Sequence, residues 1–168
     1  MTKISLIKCS SYDAQVVTQA VRRAVDLLGG MSAYVKPGNK VLLKPNLLSA
    51  KTPDQAITTH PAVVEAVIIL VKEAGGIPLL GDSPGGAVKS LEEFWNTTGM
   101  LEVCRINGVE LVSFEKSGVY PKERHDKKYY IARPVFDCDL VINLPKLKSH
   151  SLTMMTGALK NMYGAVPG

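Results

Sequence analysis

Short apolar runs alternate along this chain with longer stretches whose apolar positions recur at helical spacing. Ile4 to Lys8 reads as a first strand. A helix then starts behind Asp13 and runs to about Leu28, with Val17, Val21, Val25 and Leu28 among the residues of one face. Gly29 and Gly30 end it. Lys40 to Lys44 is a second strand, stopped by Pro45, and a loop follows to Thr59. His60-Pro61 opens the next helix, with proline at the tolerated first helical position and an apolar stripe through Val63, Val64, Val67, Ile68 and Val71.

Ile77 to Gly81 is a third strand, which breaks into Asp82-Ser-Pro-Gly-Gly86. Ala87 to about Thr97 reads as helix, followed by a weaker segment from Met100 to Val103, and Val109 to Ser113 is a fourth strand. Residues 115–130 are charged and turn-rich, an exposed excursion or a hairpin leading into Tyr129–Ala132, so an antiparallel excursion is expected around 115–135. Leu140 to Leu144 reads as a buried strand, and Thr153 to Tyr163 as a short helix. Strands alternating with helices over short connections predict an α/β domain, a mostly parallel sheet with helices on both faces.

At 168 residues the chain can bury one proper core, and it reads as a single α/β domain over 1–168. Its last residues, Pro167-Gly168, suggest the N-terminal part of a longer protein. No apolar run reaches the roughly 18 residues needed to cross a bilayer, and the N-terminus lacks a signal-peptide pattern. A cytoplasmic location without membrane contact is therefore expected. Cys9, Cys104 and Cys138 stand apart with no Cys-x-x-Cys spacing, so no iron–sulfur cluster or zinc ribbon is expected within these residues.

The net charge of +5 is mild, but its distribution changes the picture. No acid occurs from Leu27 to Pro53, where Lys36, Lys40, Lys44 and Lys51 do, and none follows Asp139. Neither basic stretch contains an arginine, which disfavours nucleic acid as the partner. An anionic small molecule fits better, because ligands on parallel sheets bind outside the carboxyl ends of the strands. Three predicted strand ends carry the right groups: Lys44-Pro45-Asn46, Gly81-Asp82-Ser83, and Lys146, Lys148 and His150.

Each of these has a plain alternative. Lys44 sits where a buried strand leaves the sheet and must reach an anion or snorkel to water. Thr58, Thr59 and His60 present hydroxyls and free N–H groups at a helix start, or simply cap it. Asp82 suits a ribose hydroxyl, a divalent cation or an imidazole, or it caps a turn. Ser83 lacks the Gly-x-Ser-x-Gly pattern of a nucleophile. Lys146, Lys148 and His150 fall on one side of an extended chain and repel one another unless an anion or solvent intervenes. Gly157 to Asn161 adds Lys160 and Asn161, and Gly164 and Gly168 permit close backbone approach.

Together, Lys44-Pro-Asn46, Thr59-His-Pro61, Gly81-Asp-Ser-Pro-Gly-Gly86, Asn143 to His150 and Thr156 to Gly164 resemble the domain-of-unknown-function 362 family over essentially the whole chain. The resemblance implies little chemistry. Many members are longer and carry a ferredoxin-like iron–sulfur domain, which implies such a domain or protein as a C-terminal partner. A fainter similarity links the last strand, His150, Gly157 to Lys160 and the closing glycine-proline segment to the N-terminal domain of nickel-pincer lactate racemases. There a histidine and a lysine serve the cofactor, and His150 and Lys160 would match them.

The leading expectation is an enzyme domain holding a phosphorylated or carboxylated small molecule at the carboxyl edge of its sheet. Lys44, Lys146 and Lys148 would neutralise it, and Asn46, Thr59, Ser83 and Asn161 would hydrogen-bond it. His150, backed by Asp82 or His60, would move a proton, and Lys160 would be an anion contact or a covalent anchor. The reaction is redox with a partner cluster domain, or proton transfer at carbon. The rivals, in order, are a non-catalytic sensor or scaffold, a metal site from His60, Asp82 and His150, and nucleic-acid binding.

Overall fold

The computed structural model describes residues 2–85 and 90–167. Four parallel strands form the main sheet: β1 (Lys40–Pro45), β2 (Ile77–Asp82), β3 (Glu110–Ser113) and β6 (Leu140–Leu144), in the order β3-β2-β1-β6. Two antiparallel pairs complete the strands, β4 (Val119–Arg124) with β5 (Lys127–Ala132), and β7 (Lys148–His150) with β8 (Met154–Thr156). The helices are α1 (Ala14–Asp26), α2 (Pro61–Glu73), α3 (Leu91–Thr97), α4 (Met100–Asn107), α5 (Pro134–Asp137) and α6 (Ala158–Asn161).

Local sequence explains the two long helices. The Asp13 carboxylate accepts from the N–H groups of Gln15 and Val16 at the start of α1, 3.0 and 3.1 Å away. The His60 Nδ1 accepts from Ala62 at 3.2 Å at the start of α2, ahead of Pro61. Seven of the thirteen α2 residues are buried, so this helix is the spine of the core. Val64, Val67, Ile68 and Val71 pack there against Val41, Leu43 and Leu80 of the sheet. Each fully buried side chain of this size contributes about 1.5–3 kcal/mol.

The chain runs β1, β2, β3 in one direction and then returns to the far side of β1 with β6. With right-handed crossovers, such a reversal sends successive connections over opposite faces. The core divides accordingly. Residues of α2, α3 and α4 cover one face, where Val21 of α1 also packs against the core. Leu42, Phe114 and Ala132, with Val135 of α5 and Val141, form a second cluster. The reversal puts a crevice between β1 and β6 at their carboxyl ends.

Several expectations need correction. Ile4 to Lys8 is not a strand: Ile4 and Leu6 are 89% and 93% exposed, and no strand pairs with them. The run has strand-like residues, but strand identity depends on a partner ladder, which these residues lack here. Leu140–Leu144 is a strand but half-buried, because it pairs only with β1 and forms an edge of the sheet. The helix expected over Thr153 to Tyr163 is split. Residues up to Thr156 form the β7–β8 hairpin, with Met154 at φ 63°, and helix begins only at Ala158. The weak segment at Met100 is a full helix to Asn107, and the expected start of the preceding helix, Ala87 to Lys89, lies outside the described residues. The excursion is an antiparallel hairpin whose turn residues His125 and Asp126 both have positive φ.

Candidate functional site

The carboxyl ends of β1 and β2 meet at an ion pair. The Lys44 ammonium lies 2.5 Å from the Asp82 carboxylate, and the two residues are 1% and 2% exposed. The second Asp82 oxygen accepts from the Leu47 N–H at 2.9 Å. Burial pushes the Asp82 carboxyl up to about 6, against the opposing pull of Lys44 and the backbone N–H groups of Leu47 and Ser83. The Lys44 charge is thus met inside the protein, and Asp82 faces Lys44 rather than an imidazole.

Gly164 lies against this pair. A Cβ there would meet the Asp82 Oδ1 at 2.7 Å and the Lys44 Nζ at 2.9 Å. Asn161 pins the same segment down. Its buried amide donates to the carbonyls of Lys44 and Pro45 and to the Asn143 side chain, at 3.2, 3.1 and 2.7 Å. The Asn46 amide donates back to the Asn161 Oδ1 at 3.0 Å, and the Asn143 amide donates to the Ala158 carbonyl at 2.8 Å. Three asparagines therefore staple the segment around α6 to the ends of β1 and β6.

Above the ion pair is a cavity of about 120 Å³. Lys44, Asn46, Asp82 and Ser83 line it from the sheet, and Lys148, His150, Thr156, Lys160 and Asn161 from the hairpin and α6. The three strand ends singled out in the sequence do converge. Alternation holds within β7, which puts Lys148 and His150 on the same cavity. Lys146 lies before that strand, and its Nζ donates instead to the Tyr12 hydroxyl at 3.1 Å.

Lys148 is half-buried and its Nζ donates to the Ile57 carbonyl at 2.6 Å. Burial first, then the ammoniums of Lys160 and Lys146, hold its pKa below the usual lysine value. Among the described residues, no carboxylate comes within ion-pair distance of Lys148 or Lys160. The His150 Nδ1 accepts from the N–H groups of Leu152 and Thr153, at 3.1 and 3.3 Å. With Nδ1 an acceptor, the neutral ring carries its proton on Nε2 and can donate from there. The Thr156 Oγ1 is buried in the same wall and has no hydrogen-bond partner.

Two of the expected residues sit beside the cavity. The Thr59 hydroxyl donates to the Leu144 carbonyl at 2.6 Å and accepts from the Asn46 N–H at 2.9 Å, tying the loop before α2 to β6. His60 stacks on Tyr12, with ring centroids 3.9 Å apart and planes 8° from parallel. Burial, then Lys146, lowers its pKa. The Ser83 hydroxyl donates to Glu115, 2.5 Å away, whose other oxygen accepts from Ser113 at 2.9 Å. Glu115 escaped the sequence reading although it follows β3, where the strand-end rule applied equally. Tyr12 and the Ile57 carbonyl left no comparable signal. Gly86 and Gly168 lie outside the described residues.

The residues present do not fit an iron–sulfur cluster. Cys9, Cys104 and Cys138 are free, and burial pushes the Cys104 thiol up to about 11. Among the described residues, no three His, Cys, Asp or Glu side chains converge on one point, so His60, Asp82 and His150 do not assemble a metal site. His150 and Lys160, the pair matched by the racemase resemblance, do share the cavity.

With this geometry in hand, comparison with known proteins identifies the class. The model of the family described as domain of unknown function (DUF362) matches residues 41–168, and the chain belongs to that family. It is also 41% identical over 167 residues to the thylakoid-associated protein sll1697 of Synechocystis sp., a match covering 98% of this chain and 51% of that protein. The chain thus spans about half the length of this curated relative. No solved structure matches. Among the described residues, no helix is long and apolar enough to cross a membrane.

Proposed function

We propose that this is an enzyme domain, or the ligand-binding part of one, that holds a small phosphorylated or carboxylated anion at the carboxyl edge of its sheet. One observation carries the reading: Lys148 and Lys160 line a single small cavity, and among the described residues no carboxylate lies within ion-pair distance of either, the Asp82 carboxylate in the same wall being taken by Lys44. Two ammoniums left together in a partly buried site favour any anion that relieves their repulsion. The Nε2–H of His150 and the unpartnered hydroxyl of Thr156 supply directional hydrogen bonds to its oxygens. Lys44 and Asp82 form the floor and keep it rigid.

The domain works in the cytoplasm. Where its reaction is redox, the electrons go to a ferredoxin-like iron–sulfur domain or protein, because these residues offer no cluster ligands. Native mass spectrometry of the untagged chain, purified without added ligand, tests the reading. An anionic adduct on the wild type that is absent from Lys160→Met supports it, and the same adduct on both proteins contradicts it.

A second reading, a non-catalytic sensor or scaffold, draws on the His150 ring. Its Nδ1 is engaged by two backbone N–H groups, which suits a hydrogen-bond donor better than a proton shuttle. Anion binding without turnover of any bound compound would favour that reading.

A further inference from the structure

We propose that Lys148 is a nucleophilic lysine, forming an imine with the carbonyl carbon of a small anionic 2-oxo compound held in the cavity beside Lys160. The proposal rests on the anion-site reading above and adds a covalent chemistry to it.

An amine nucleophile needs an available lone pair, freedom from carboxylates and a substrate held against it. Of the three other lysines near the site, two fail one of these demands and the third is not fixed in position. Lys44 is locked to Asp82 at 2.5 Å. Lys146 points its ammonium at the Tyr12 hydroxyl, away from the cavity. Lys160 lines the cavity, but no hydrogen bond among the described residues fixes its Nζ in place, so it suits the role of counter-charge to the substrate's carboxylate.

Lys148 meets all three demands. Its Nζ is held by one N–H donated to the Ile57 carbonyl, which fixes the nitrogen and leaves its lone pair for the cavity. It is half-buried near the Lys160 and Lys146 ammoniums with no carboxylate in ion-pair contact among the described residues, which raises the share of neutral amine at neutral pH. Desolvation next to a second cationic group is a recognised way to activate lysine.

The reaction balances without any oxidant or reductant. The amine lone pair attacks the carbonyl carbon, and the oxygen receives the displaced electron pair, within reach of the His150 Nε2–H. That oxygen leaves as water, with one proton from the amine and one from solvent. The resulting iminium keeps one N–H, so the bond to the Ile57 carbonyl survives. The Thr156 hydroxyl, unpartnered in the cavity wall, gains an acceptor in the substrate's carboxylate. A cavity of about 120 Å³ has room for a three-carbon oxo acid.

The test is to incubate the full chain with pyruvate and sodium cyanoborohydride, which reduces the iminium to a stable carboxyethyl-lysine, and to map the modified lysines by peptide mass spectrometry. The expected result is saturable labelling of Lys148 at least about tenfold faster than that of the exposed Lys51 and Lys116. Excess inorganic phosphate should slow it, and Lys160→Met should lower it. Lys148→Arg, confirmed as folded by its far-UV spectrum, should show no fast-labelled lysine. Labelling of Lys148 no faster than that of Lys51 overturns the proposal. Calorimetric titration with pyruvate alone separates the two claims. Binding without selective labelling removes the imine and leaves the anion site, whereas no binding of pyruvate or phosphate removes both.

Discussion

The Lys44 ammonium and the Asp82 carboxylate meet 2.5 Å apart at the ends of two adjacent parallel strands, both sealed from solvent. The Asp82 charge is tolerable there only because of Lys44. Lys44→Met leaves that carboxylate buried without its partner and should destabilise the fold by about 3–5 kcal/mol. The double replacement Lys44→Met with Asp82→Leu should recover much of that loss, because an apolar pair of similar volume removes both desolvation costs. Urea unfolding of the two variants checks this.

The same pair predicts a pH dependence. Burial raises the Asp82 carboxyl from its ordinary value of 3.8 to about 6 in the folded state. Between those values the folded chain holds a proton that the unfolded chain has released, so rising pH favours unfolding. The contribution of Asp82 to stability is therefore best below about pH 4. It declines through the window to pH 6, by about 3 kcal/mol in all. The stability difference between wild type and Asp82→Asn, followed by urea unfolding from pH 4 to 7, should shift by that amount in the direction unfavourable to the wild type.

Gly164→Ala tests the close approach over the ion pair. The added Cβ has no room beside the Asp82 and Lys44 side-chain ends, so the segment after α6 must lift. A stability loss of about 1–3 kcal/mol should accompany weaker anion binding, read by thermal unfolding with and without phosphate.

Asn161→Ala removes the amide that joins the ends of β1 and β6 to the last segment. The loss should be about 1–3 kcal/mol, since the carbonyls of Lys44 and Pro45 lose their donor in a buried setting. Hydrogen exchange should locate the effect, with faster exchange at residues 158–167 and little change in α2.

How much of this was legible in sequence follows from where each signal resides. The α1 and α2 helices and strands β1 and β2 were readable because caps and apolar periodicity are local and agree with the final packing. Ile4 to Lys8 misled because a strand is defined by its partner, and no local feature tells a short strand-like segment whether one exists. The β8 half of the hairpin, Met154–Thr156, reads as helix because its methionines have no strong preference, and Met154 adopts a positive φ that its sequence does not announce. The cluster of Lys44, Asp82, Lys148 and His150 was readable because parallel topology forces strand ends together. The partners within it were not. Nothing local says that Lys44 pairs with Asp82, or that Ile57 offers its carbonyl to Lys148.

The central claim is that the cavity beside Lys148 and Lys160 binds a small anion. Isothermal titration of inorganic phosphate and of pyruvate into the wild-type chain and into Lys160→Met tests it most directly. The account predicts saturable one-site binding to the wild type that weakens at least about tenfold in the variant, as expected when a charge-assisted contact is removed. No saturable heat with either anion, or equal binding by both proteins, would contradict it.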